Sequence, residues 1–168
     1  MNSSKLTQVL VISLLLCGLF TIAAIGAPVP ANKLITLVAG GPHQETMETQ
    51  YLKIACDYTL DKNQLKLSGK LHFHRSITMN YPGLKLFYME AVFLNAQGKV
   101  LERTNISLQN DYVWGHMENP APASFNTQLT LPPQTTAMTF YYNGKTQSEV
   151  GAMGISFYFD PLSPEGGE

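Results

Sequence analysis

Residues 52–60 alternate without a break: Leu52, Ile54, Cys56, Tyr58 and Leu60 hold one phase, and Lys53, Ala55, Asp57 and Thr59 hold the other. Side chains two apart on an extended chain share a face, so this pattern fits a strand with one buried side. It does not fit an amphipathic helix, whose apolar positions recur every three to four residues. The same period returns after Asp61-Lys62-Asn63. Leu65, Leu67, Gly69, Leu71 and Phe73 take one phase there, while Lys66, Ser68, Lys70, His72 and His74 take the other. Two such strands joined by a short turn rich in Asp and Asn read as a hairpin with one wet face.

The rest of the chain extends the pattern. Residues 84–94 are apolar on both phases apart from Lys85 and Glu90, as a central strand would be. Asn95-Ala96-Gln97-Gly98 then supplies a turn, and residues 100–108 return as a more polar strand. Residues 109–124 break the alternation. Phe125, Leu129 and Leu131 resume it until Pro132-Pro133, and residues 137–142 form a further apolar run. Asn143-Gly144 reads as a hairpin turn, Gly40-Gly41-Pro42 as another turn, and Ile155, Phe157 and Phe159 as a last strand. No segment carries a convincing helical period. The prediction is an all-β chain: a single antiparallel β-sandwich of the immunoglobulin or fibronectin kind, with seven or eight strands over residues 32–162. A closed barrel is the alternative, and residues 163–168 read as a disordered tail.

The strand-turn-strand MEAVFLNAQGKVLERT and the later LPPQTTAMTFYYNG resemble the FxLYD-like, immunoglobulin-like β-sandwich domains found outside the cytoplasm of bacteria. The resemblance spans residues 66–144 and rests on turn chemistry; Phe140-Tyr141-Tyr142 approximates the FxLYD string itself. It implies the sandwich fold and an extracytoplasmic location, and it carries over no site residue.

The N-terminus points the same way. Lys5 precedes a charge-free run over residues 9–27, and small residues and prolines follow. Residues 1–31 therefore read as a secretory signal peptide, with small-x-small cleavage positions after Gly26 and after Ala31. The alternative is an uncleaved membrane anchor formed by residues 9–27, because about 20 apolar residues span a bilayer. Either way the folded part is expected outside the cytoplasm, periplasmic or secreted, touching a membrane only through that segment. Cys17 sits behind Leu16, where a lipidation signal wants a small residue. Removing the signal leaves Cys56 as the one remaining cysteine, so no internal disulfide can form. Its apolar phase marks Cys56 as a buried small hydrophobe.

Only 14% of residues are charged and the net charge is −1, which predicts no electrostatic grip on nucleic acid. Candidate chemistry is sparse. His72 and His74 share a strand phase and are weak candidates for two metal ligands, but Lys66 and Lys70 accompany them and no third donor is evident. The segment from 111 to 118 gathers Tyr112, Trp114, His116 and Glu118, residue types that stack on sugars or anchor a partner when a loop presents them. The competing reading makes Tyr112 and Trp114 part of a strand whose rings close one end of the core. No nucleophile elbow, phosphate-binding glycine loop, HExxH or paired CxxC occurs. The expectation is an exported, non-catalytic module of the bacterial cell envelope with a binding or structural accessory role and no cofactor. Its partner would be another envelope protein or a glycan. Two alternatives follow: a carbohydrate or envelope-ligand binder using residues 112–118, and a metal-binding protein or small metalloenzyme using His72 and His74.

Overall fold

The computed structural model describes residues 29–114, 122–148 and 153–163. Among these described residues, nine strands form two antiparallel sheets. The four-stranded sheet contains β2 (Gly40–Glu48), β3 (Leu52–Asp61), β4 (Gln64–Phe73) and β7 (Ala123–Thr130), in the order β2-β3-β4-β7. The five-stranded sheet contains β1 (Ile35–Thr36), β5 (Gly83–Leu94), β6 (Val100–Val113), β8 (Ala137–Thr146) and β9 (Ser156–Phe159). Its order is β1-β8-β5-β6, and β9 also pairs with β8. The chain is a β-sandwich. A one-turn helix, Arg75–Thr78, follows β4. No helix among the described residues is long and apolar enough to cross a membrane.

The alternating phases of the sequence are the two faces of the sheets. Leu52, Ile54, Cys56, Tyr58 and Leu60 are all buried, as are Leu65, Leu67 and Leu71 on the paired strand. Lys62 and Asn63 make the turn between β3 and β4, with Lys62 at φ 55°. The turn after β5 also forms: Asn95 Oδ1 accepts from the Gln97 and Lys99 amides, and Gly98 takes φ 74°. Opposite β3 and β4, the five-stranded sheet contributes a packed set of rings. Phe87 and Phe157 stack at 6.4 Å, Tyr142 and Phe159 lie 5.6 Å apart, and Phe73 meets Phe87 edge-on at 5.2 Å. Full burial of each such side chain is worth about 1.5–3 kcal/mol, which lets a fold with no disulfide among its described residues hold together.

Three local readings needed correction. Residues 40–48 form strand β2 around the Gly40-Gly41-Pro42 segment read as a turn, with an irregularity between Gly40 and His43. Met47 is the one buried residue of β2, so this edge strand shows no alternation for a sequence to betray. Residues 109–113 belong to β6, which runs on to Val113. Asn143-Gly144 is not a turn but the middle of a strand, because β8 continues to Thr146. Gly144 lies directly opposite Phe157, and a Cβ there would stand 2.3 Å from the ring. Gly69 does the same in the other sheet: it is opposite Phe125, whose ring would be 2.5 Å from an added Cβ. In both sheets a glycine makes room for a phenylalanine of the neighbouring strand.

Candidate functional site

The segment that held the aromatic candidates closes the core on its described side. Tyr112 is the penultimate residue of β6 and half-buried, and Trp114 follows the strand at 2% exposure. The indole packs against Phe73 at 5.1 Å and Tyr112 at 5.5 Å, and its N–H donates to the Tyr81 carbonyl at 2.7 Å. Both the ring and its one polar atom are thus engaged internally, which suits an end-plug better than a stacking platform. Burial pushes the Tyr112 phenol above its ordinary value. His116 and Glu118 lie outside the described residues.

The two histidines have different surroundings. His72 is exposed in a cross-strand row, His72–Lys53–Glu48, with the lysine directly beside it. His74 lies just past the end of β4, and its Nε2 is 2.9 Å from Glu48 Oε1 and 3.1 Å from the Thr49 carbonyl. Among the described residues, no group of three or more His, Cys, Asp or Glu side chains could hold a metal ion. Cys56 is buried, and burial pushes its thiol up to about 12, so the nucleophilic thiolate is scarce at neutral pH.

What remains is a contrast between the two outer faces. On the five-stranded sheet, polar groups bind one another. Tyr88 donates to Glu90 Oε1, and Arg103 lies 3.6 Å from Glu90 and 3.9 Å from Asp160. The same guanidinium covers the Tyr141 ring at 5.4 Å, and Asp160 accepts the Leu162 amide at 3.0 Å. The hydrogen bond to Glu90 raises the Tyr88 phenol above its usual value, because the neutral hydroxyl is the donor. Leu86, Leu108 and Tyr158 are the exposed apolar residues around this network.

On the four-stranded sheet an open trough of about 570 Å³ crosses the strands. Register places two outward rows in it. One row is Thr46–Ala55–Lys70–Ser124, and the next is Gln44–Asp57–Ser68–Asn126. Small Ala55, Ser68 and Ser124 form the floor, and the longer side chains rise around it. None of the polar side chains in these rows makes an internal hydrogen bond or ion pair among the described residues. Phe125 reaches the trough only from below, at 6% exposure, with its ring in the Gly69 slot and against Phe140.

Sequence reasoning held half of this site. The phase carrying Ser68 and Lys70 was legible as the wet face of a hairpin. Gln44 and Thr46 were not, because their strand has no alternation. Asn126 and Ser124 sit on a strand whose pairing to β4, and not to a sequence neighbour, only the fold reveals. No family model, curated protein or solved structure matches the chain.

Proposed function

We propose that the chain is an exported, non-catalytic β-sandwich module that serves the bacterial cell envelope by binding. The observation that carries the reading is the trough on the four-stranded sheet: amide, hydroxyl, carboxylate and ammonium groups face solvent around a floor of small residues, with no internal partner. Folded proteins hydrogen-bond most of their polar groups internally where they are buried, whereas groups held ready at a concave surface suit an external ligand. Export is supported by the charge-free run over residues 9–27 behind a single lysine. The trough and its two rows are the binding surface in this reading; Trp114 and Tyr112 stabilise the far end of the core.

A fusion of the full chain to alkaline phosphatase, which is active only after export, tests the location. High phosphatase activity in a bacterial host, lost when Leu14 and Leu15 become Arg, is the expected outcome. An inactive, cytosolic fusion at equal expression overturns it.

A further inference from the structure

We infer that the trough across β2, β3, β4 and β7 binds an uncharged, hydroxyl-rich glycan chain laid perpendicular to the strands. This rests on the reading of the chain as a binding module and adds the class of ligand. The chemistry of the two rows selects it. Gln44 and Asn126 each offer an amide donor and an amide acceptor, Thr46, Ser68 and Ser124 each offer a hydroxyl, Asp57 accepts and Lys70 donates. A sugar hydroxyl both donates and accepts, so every one of these groups finds a partner on a polyol. A purely anionic ligand would leave Asp57 opposed, and a cationic one would leave Lys70 opposed. Glu45 lines the trough as well, so two carboxylates, Glu45 and Asp57, stand against the one ammonium of Lys70, a balance of −1 that disfavours an anionic chain.

Shape agrees with chemistry. Four strands at about 4.8 Å spacing make each row about 14 Å long, which suits a chain of sugar rings lying across the sheet. The volume of about 570 Å³ falls within the usual size of ligand sites. Apolar driving force is small, because the one ring in the lining, Phe125, is turned into the core. Binding therefore depends on hydrogen bonds exchanged with water, each of which contributes little net free energy. The affinity expected is in the region of 1 mM, about −4 kcal/mol.

The experiment is a nuclear magnetic resonance titration of the ¹⁵N-labelled full chain with maltohexaose, cellohexaose and, as the charged comparison, hexagalacturonate. The expected result is saturable movement of the Gln44 and Asn126 side-chain amide signals with at least one neutral hexasaccharide. Ser68→Arg, which fills the trough from a half-buried, outward-facing strand position, and Asn126→Ala should each weaken that binding about tenfold or more with the protein still folded. No movement of those signals with either neutral sugar up to about 10 mM overturns the inference. So do shifts that persist unchanged in Ser68→Arg, and so does tighter binding of hexagalacturonate. The phosphatase fusion reads export alone, so an active fusion with no sugar binding removes the ligand and leaves the exported module standing.

Discussion

Glu90 on the five-stranded sheet has a tyrosine and an arginine for company, while Asp57 on the four-stranded sheet has neither. Both are carboxylates on the outward face of a central strand. The difference lies in their neighbours. Arg103 on β6 reaches across to Glu90 on β5, to Tyr141 on β8 and to Asp160 just beyond β9, tying three strands and the chain that follows a fourth. Around Asp57 the adjacent positions are Gln44 and Ser68, whose side chains are neutral. One face has spent its polar chemistry on holding itself together. The trough of the other keeps it for solvent or a ligand, while elsewhere on that sheet Gln64 donates to Thr130 and His74 meets Glu48.

That contrast concerns the outsides; the insides match, and the largest effect expected of a substitution at neutral pH tests the match. Gly69→Ala and Gly144→Ala should each destabilise by about 1–3 kcal/mol, as overpacking does, read from the denaturant midpoint. Gly69→Ala should cost more, since its added methyl also meets the Ala55 carbonyl at 2.6 Å, and backbone yields less than a ring. A neutral result at either position would mean that its phenylalanine does not occupy the slot.

Arg103→Met comes next. It strips Glu90, whose side chain is only 16% exposed, of its cation and uncovers the Tyr141 ring, for an expected loss of about 1–2 kcal/mol. Because Arg103 is itself 36% exposed, the wild-type advantage should shrink as salt is added. An unchanged midpoint would erase the distinction between the two faces.

Alkali separates the sheets by another route. Cys56 has an ordinary value of 9.0 and a folded value of about 12, raised first by burial. An acid whose folded value is raised stabilises the fold fully below its unfolded value and loses that contribution as pH climbs through the folded one. Stability should therefore fall between about pH 9 and 12, with a slope of up to about 1.4 kcal/mol per pH unit for one thiol. Tyr88 and Tyr112, raised in the same direction, join only above their ordinary value of 10.0. Cys56→Ala should flatten the part of the curve that begins near pH 9, and Tyr88→Phe should flatten only the later part. Equal curves for wild type and Cys56→Ala would show that the thiol ionises freely in the folded chain.

The smallest effect is the one expected of the trough. Lys70→Ala and Asn126→Ala should shift stability by less than about 0.5 kcal/mol, as substitutions of unpartnered surface groups do. A loss above about 1 kcal/mol at either site would show that those groups are structural after all, and would bring the two faces back to one kind.

The β3–β4 hairpin was readable residue by residue because one face is buried and the other wet, which imprints a two-residue period. Strand β5 was readable for the opposite reason: it is central, with Phe87, Met89, Ala91, Val92, Phe93 and Leu94 all buried. Strand β2 left no such trace, since an edge strand that buries only Met47 needs no apolar phase. Asn143-Gly144 misled because the dipeptide satisfies two different needs. A left-handed turn favours glycine, and so does a ring that must lie on the backbone; local sequence does not tell them apart. The trough was hidden for a topological reason, as its walls come from β2 and β7, which are far apart in sequence and join the hairpin only in the folded sheet.

The two glycine slots have a further consequence for how the chain finds its alignment. Strands β7 and β9 are both outermost, each hydrogen-bonded to a single neighbour, so their pairing could slide. A slide of two residues keeps the buried face inward and is therefore invisible to hydrophobic patterning. It would, however, drive Phe125 against Leu67 or Leu71, and Phe157 against Tyr142 or Thr146, where side chains stand instead of a hollow. Each glycine thus works as a keyway that admits its phenylalanine at one setting and rejects the neighbouring ones. The lateral strands of both sheets are indexed by an absence of atoms.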